Sequence, residues 1–580
     1  MKNHAQESIK HIMVTLLCIL GLTALPYQPA QAVPTTFTVT NTSNSGAGSL
    51  RQAILDANST PGQDVIVFNI PTSDPYFSTA TGEFIIGLLG GLPALTDLTG
   101  TIIDGTTQTS NVGNTNTLGP EIELRNNLPF SEPIFIMQEG NNTIKGLSLY
   151  NELYVGIDVY NFSHNNTITQ NYIGINAKGN ACGGNTYGIR VGSQNNIINN
   201  NVISCSKYDA IQIHSTASLN QIVGNTIGLN AQINIIGNLT GPDDYGNDGN
   251  GIAIFSSDTN TISDNIISHN GKSGIMLQDS KWTTIQRNLI GINDTDTSTL
   301  GNKDYGILLE DFSIDNFIKD NYVAGNGRTG IYLTGYSTWG NQLEHNVIGV
   351  NKNYQSIPNG HHGIGIYNGS YDNIIGDLSD PGLGNQIYSS SWSGIAIVND
   401  ANWNTIAHNL IGDLPNLGNN YHGIAIVNSF NNLIAWNTIA GNGASTEAAG
   451  VLVDGVAADH NRMIQNSIYD NNNTGIKIQN NGNEGILPPT IISATCDTVN
   501  GTACPGCTVE IFSDYGSQGR YFEGRILADS VGVYGMVGSL HGPNNTATQT
   551  DSKGNTSIFS LPYKNVCTRI FLPFIDGTKR

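Results

Sequence analysis

From about residue 140 to 480 the apolar positions recur in two short units rather than in long blocks. One unit is Gly-Ile followed by alternating residues, as in Gly156-Ile157-Asp158-Val159, Gly188-Ile189-Arg190-Val191 and Gly251-Ile252-Ala253-Ile254. It returns at Gly274, Gly306, Gly330, Gly363, Gly394, Gly423 and Gly475, with variants at Ala210-Ile211 and Gly450-Val451. The other is a pair of Asn-x-Ile units five residues apart, such as Asn166/Asn171, Asn196/Asn201, Asn260/Asn265, Asn316/Asn321 and Asn404/Asn409. Each unit is short and has period-two patterning, so each predicts a short strand. Asn and Gly tolerate left-handed backbone angles and mark corners between the strands. Three short strands joined by corners cannot bury their own apolar faces. Stacked copies can, with Ile aligned on Ile down the interior and Asn on Asn at the corners.

The pattern therefore predicts an all-β parallel β-helix, a solenoid of short strands. Successive Gly-Ile units from 251 are spaced by 23, 32, 24 and 33 residues, so short coils alternate with coils carrying an extra polar segment. That segment follows Ile227-Gly228, Ile290-Gly291 and Ile348-Gly349 and is expected to protrude as a loop. Leucine-rich repeats are excluded by the missing Leu-x-x-Leu-x-Leu spacing, and helical solenoids by the lack of amphipathic helical stretches. An open stack exposes unpaired strand edges and needs a cap. Residues 35–70 supply one: a strand, a short helix N-capped by Ser49, and the strand-like Val65-Ile66-Val67-Phe68. Leu92-Pro93-Ala94-Leu95 and the segment from Thr101 then begin the coils.

Three features resemble the secreted bacterial proteins of the pectin-lyase-like fold, which are right-handed parallel β-helices. These are the Ser-Gly-x-Gly-Ser-Leu-Arg-x-Ala-Ile start, the Leu-Pro-Ala…Ile-Asp-Gly-Thr-Thr-Gln block, and the Asn-x-Ile/Gly-Ile ladder over roughly residues 35–485. After Pro488-Pro489 the spaced strands and turns resemble a bacterial immunoglobulin-like module, a small β-sandwich. The expected division is 1–32 signal peptide, 33–110 cap and first coils, 111–486 β-helix, and 487–580 sandwich and tail.

Composition narrows the partners. Only 12% of the 580 residues are charged and the formal net charge is -21. Such a surface disfavours nucleic acid and anionic membranes, where basic side chains supply the attraction. Polyanionic glycans are disfavoured too, unless cations bridge the two partners. Lys2, Lys10 and His11 precede an apolar run from Ile12 to Leu25, and Ala30-Gln31-Ala32 offers a cleavage site, as in a secretory signal. Fourteen residues are too few to cross about 30 Å of hydrocarbon, so no membrane insertion is expected after cleavage. The protein is expected to be secreted or displayed at the cell surface.

An oxidising compartment permits disulfides. Cys182 and Cys205 precede Gly188 and Ala210 by six and five residues, which places them on neighbouring coils. Strands there lie about 4.8 Å apart, close to disulfide spacing, so a Cys182–Cys205 bridge is expected. Cys496, Cys504, Cys507 and Cys567 fall in the C-terminal region. The 504–507 pair suits a structural disulfide, with redox or zinc chemistry as the other reading.

For chemistry, hydrolases of the resembling fold use paired Asp, a Gly-His-Gly and an Arg-x-Lys. Here Asp243, of the pair Asp243-Asp244, lies 118 residues before His361 of Gly360-His361-His362-Gly363, and no Arg-Ile-Lys occurs. Asp279 and Asp311 each lie five residues after their Gly and are expected to stack on adjacent coils beside Glu310. Such a group would serve acid/base catalysis or calcium binding, or be solvated corner acids. Asp243, Asp244 and Asp248 offer a second calcium candidate, or a polar turn. Positions one or two before the Gly-Ile unit carry Tyr154, Tyr187, Tyr208, Tyr305, His361, His362, Trp392, Tyr421 and His422. These predict an aromatic stripe suited to sugar rings, or corner packing; the histidines also admit a metal. The expected function is carbohydrate binding or surface contact, with a polysaccharide lyase or hydrolase as the alternative.

Overall fold

The computed structural model describes residues 34–127, 132–150, 154–214, 216–232, 246–293, 300–444 and 447–566. Among these, three parallel sheets of fifteen, fourteen and thirteen strands run the length of a stack. The first Asn-x-Ile unit builds sheet I, the second builds sheet II, and Gly-Ile builds sheet III. One coil thus comprises Thr261–Ser263, Ile266–Ile267 and Ile275–Gln278. The all-β parallel β-helix is the observed fold.

Register explains the core. In sheet I, Ile222, Ile262, Ile285 and Ile318 pair in succession. In sheet III, Ile254, Leu277, Leu309, Leu333 and Ile366 do the same. All of these are fully buried, and each contributes roughly 1.5–3 kcal/mol by leaving water. Three buried amide columns seal the corners. Asn316, Asn341 and Asn373 stand in the first, and Asn288, Asn321 and Asn346 in the second. A third column runs Asn270, Asn302, Asn326 and Asn359 before sheet III, and the sequence reading did not identify it.

The ends differ from expectation. Thr36–Val39 and Asp64–Phe68, read as parts of a cap, are already the first two rungs of sheet I. The cap is the helix between them, α1 (Leu50–Ser59), whose Leu50, Ala53, Ile54 and Ala57 close the apolar interior. Ser49 Oγ accepts from Gln52 N at 3.2 Å and fixes its start. At the other end, two antiparallel sheets of three and four strands enclose their own core around Val499, Val509 and Ile511. They also finish the stack. Phe559 packs against the β-helix interior, Gly519 pairs with Ile468, and Gln518 Oε1 accepts the final amide of the third column.

Residues 233–245 and 294–299 of the long segments lie outside the described residues, and the described parts do not simply protrude. After Gly291, Ile292 folds back with Leu289, Ala324 and Ile357, and after Gly349, Val350 packs with Val347 and Tyr388. The outward positions of sheet II are apolar here and need covering, and the long segments do that. Cys182 and Cys205 form a disulfide with Cα atoms 5.7 Å apart. Cys504 and Cys507 form another, and Cys496 is also disulfide-bonded. Cys567 lies outside the described residues. No helix among the described residues is long and apolar enough to cross a membrane.

Candidate functional site

With the interior apolar and sheet II largely covered, the outer face of sheet III holds the densest set of rings. Two registers lead into it. Two residues before Gly stand Lys272, Asp304, Arg328, His361, Trp392 and Tyr421, tied coil to coil by backbone N–H···O bonds. One residue before Gly stand Tyr305, His362 and His422. The expected single stripe is therefore broken, because Lys272, Asp304 and Arg328 interrupt the outer register between Tyr208 and His361.

The aromatic residues fall into separate groups. In the first, the Arg190 guanidinium lies over Tyr154 and Tyr187 at 5.9 and 5.8 Å while pairing with Asp158. Tyr208 stands 5.2 Å from Tyr187. The second group is larger and continuous. Tyr305 stacks on Tyr332 at 4.6 Å, Tyr332 meets Tyr367 at 5.1 Å, and Tyr367 lies 6.1 Å from His362. Trp392 then contacts both His362 and His361, at 5.5 and 5.0 Å. The six rings span four coils, about 14 Å of the stack at ordinary strand spacing. Tyr421 and His422 follow as a separate pair, 4.3 Å apart.

Tyr332 and Tyr367 were not among the expected residues. They occupy outward positions inside the strands Ile331–Thr334 and Ile364–Tyr367, where the alternation of Gly330-Ile331-Tyr332-Leu333 already points them out of the core. Gly365 makes room between them. A Cβ there would stand 2.9 Å from Tyr332 Cδ2 and 3.2 Å from Tyr367 Cε2.

Two of the buried histidines, His362 and His422, have defined roles. His362 Nδ1 accepts from Ser393 N at 3.3 Å, so Nε2 carries the proton and donates to the Tyr367 hydroxyl at 3.0 Å. His422 Nδ1 likewise accepts from Ala449 N. Burial drives both pKa values down from 6.5 to about 4, aided by His361 for His362 and by Lys477 for His422. The Tyr367 hydroxyl is pushed up to about 12, first by burial and then by Tyr332 and Tyr305. It remains a neutral donor. The unfolded chain thus takes up protons that the folded one refuses between pH 6.5 and 4. Stability is complete above 6.5 and falls as pH drops toward 4, by up to about 3 kcal/mol per histidine. Denaturant titrations across that window should show a shallower fall for the His362→Gln/His422→Gln pair than for the parent.

The acidic candidates share a corner on adjacent coils: Asp279 N donates to Asp311 O at 2.6 Å. The Asp279 carboxylate accepts from Ser256 Oγ and that of Asp311 from Gln278 Nε2. Both residues adopt left-handed angles. Glu310 lies beside Gln278 and Thr334 on the face of sheet III, its carboxyl raised by burial and then by Asp311. Asp248 is exposed, and its N–H donates to Ser206 O. Asp243 and Asp244 lie outside the described residues. Among the described residues no three His, Cys, Asp or Glu side chains are grouped to hold a metal ion.

The family described as "Right handed beta helix region" matches residues 175–348 and 230–379. Among solved structures, the chain is similar to the Dettilon tailspike protein at 14% identity, covering 90% of this chain and 91% of that one, with a TM-score of 0.42. The catalytic unit of a GH87 α-1,3-glucanase from Streptomyces thermodiastaticus shows 12% identity, 80% and 70% coverage, and a TM-score of 0.35. The A-module of the Azotobacter vinelandii mannuronan C-5 epimerase shows 12% identity, 76% and 91% coverage, and a TM-score of 0.29. A search among curated proteins returns no match.

Proposed function

We propose that this protein binds a neutral polysaccharide along the outer face of sheet III. The observation that carries this reading is the run Tyr305, Tyr332, Tyr367, His362, Trp392 and His361. Ring faces of Tyr and Trp bury the apolar faces of sugar rings, while neutral donors beside them serve the hydroxyls. Those donors are present in the Tyr367 hydroxyl and in Asn368, whose amide lies 3.1 Å from Thr334 Oγ1. Trp392, 54% exposed, is more open than the three tyrosines of the run.

Export fits this reading: the disulfides and the N-terminal signal both suit an extracellular or surface-displayed protein, with residues 1–32 removed. Residues 487–580 then form an immunoglobulin-like module and tail behind the binding rod. A second reading, a polysaccharide lyase or hydrolase, is favoured by one group. Glu310 is a carboxyl of raised proton affinity on the same face, fit to donate a proton to a leaving oxygen.

Mixed polysaccharide arrays with the mature chain test the first reading. The Tyr332→Ala/Trp392→Ala double variant is expected to lose tenfold to a hundredfold in affinity. This corresponds to about 0.7–1.4 kcal/mol per ring. Unchanged binding overturns the proposal. Product release that disappears in Glu310→Gln would favour the second.

A further inference from the structure

The stack carries another set of rings on its opposite edge, where sheet III turns into sheet I. Trp339 stacks on Tyr371 at 6.0 Å, and Trp403 meets Phe430 edge-on at 5.1 Å. Trp403 sits at the left-handed corner, φ 56, where other coils place Asn165, Asn195 or Asn431. A bulky side chain is disfavoured in that conformation. Here it stays 52% exposed and opens into a cleft of about 580 Å³ between the β-helix and the C-terminal sheets. That volume lies within the ordinary range of small-molecule sites.

The cleft's charged groups are unequally engaged. Asp551 is held by its own turn, accepting from Lys553 N, Asn555 N and Asn555 Nδ2. Lys553 pairs with Glu484 at 2.8 Å, and His460 lies 3.6 Å from the same carboxylate. Arg462 opens the strand Arg462–Ile464 on its exposed side, and among the described residues no carboxylate pairs with it. An exposed indole and an unpaired guanidinium two coils apart line the same cleft, rimmed by the polar Asn431 and Ser552, and together match one ligand class.

We propose that this cleft is a second, separate sugar site that takes a single acidic residue of a saccharide. The uronate carboxylate meets the fork of Arg462 and the sugar ring lies on Trp403. The site is independent of the sheet III face, since it uses none of its residues.

The test titrates the mature full-length chain with uronic-acid disaccharides of β1,4, α1,4 and β1,3 linkage and their uncharged counterparts. Glucuronosyl-β1,4-glucose against cellobiose is the first pair. Calorimetry is expected to show at least one acid bound tenfold or more tightly than its neutral partner. Arg462→Met should bring the two to equal affinity, and Arg462→Lys should restore part of the difference. Trp403→Ala should weaken both, while Tyr332→Ala on the other face changes neither. Both cleft residues are exposed, so unchanged melting confirms that the variants fold. Failure of all the acids at millimolar concentration, equal affinity for acid and neutral forms, or binding that survives both substitutions overturns the proposal.

Discussion

Asn321→Leu is expected to cost about 3–5 kcal/mol and to divide the unfolding of the stack at that coil. The side chain is fully buried in the second amide column. Its Oδ1 accepts from both the backbone N and the Nδ2 of Asn288, each at 3.0 Å. Its Nδ2 donates to Ile285 O at 2.9 Å and to Asn346 Oδ1 at 3.0 Å. Leucine has the same branched skeleton, is bulkier, and makes none of these bonds. The Asn288 N–H is then left in the interior without that acceptor, and Ile285 O loses a donor, at about 1–3 kcal/mol for each stranded group. Solenoid coils hold each other through nearest-neighbour contacts, so the damage should stay local. Hydrogen exchange is expected to rise in coils flanking residue 321 and not near residues 160–200. Denaturant melts that move by less than about 1 kcal/mol would contradict the amide column's role.

Gly349→Ala is expected to be comparably severe, for a different reason. Gly349 adopts φ +84, and a Cβ there would fall 1.9 Å from the carbonyl oxygen of Tyr388 on the next coil. That oxygen is backbone and cannot step aside without opening sheet II, where Tyr388 N donates to Ile348 O at 2.9 Å. Gly46 separates the two contributions. It has a similar φ of +91 but nothing within 4 Å of its added Cβ. Gly46→Ala should therefore cost only the conformational part, about 1–2 kcal/mol. Gly349→Ala should add the clash and exceed it by about 2 kcal/mol or more. Equal melting shifts for the two variants would show that the coils are less tightly stacked than this geometry requires.

These two substitutions also mark what was readable beforehand. The interior isoleucines and two amide columns follow from period-two patterning around Asn and Gly, because one side chain per strand must face the core in every coil. The third column was as regular but better hidden. Asn247, Asn270, Asn302, Asn326, Asn359, Asn419 and Asn471 all lie four residues before their Gly. Their distance from the preceding strand varies with the inserted segment, Ser390 interrupts the series, and Asn442, which joins Asn419 to Asn471, lies eight residues before Gly450. Measured from Asn-x-Ile, the column looks irregular; measured from Gly-Ile, most of it does not.

The site was legible in part for similar reasons. Tyr305, His361, His362 and Trp392 stood out because they flank a fixed motif. Tyr332 and Tyr367 were concealed inside strands whose apolar neighbours drew attention to the core. The histidines' neutral state required the next coil, since only the N–H groups of Ser393 and Ala449 reveal why each Nδ1 is occupied. Trp403 was hidden by propensity: tryptophan is a poor candidate for a left-handed corner. Its position directly before Asn404 nonetheless matches Asn165 before Asn166. The separate partners of Asp279 and Asp311, Ser256 and Gln278, depend on side-chain direction at those corners, which spacing alone does not specify.

Hydroxyl-radical footprinting of the mature chain with and without a bound neutral polysaccharide tests the sheet III assignment most directly. Protection is expected at Tyr305, Tyr332, Tyr367 and Trp392, with Trp282 and Trp436 on other corners of the stack unchanged. Protection confined to those other corners, with the four rings still fully reactive, would contradict it.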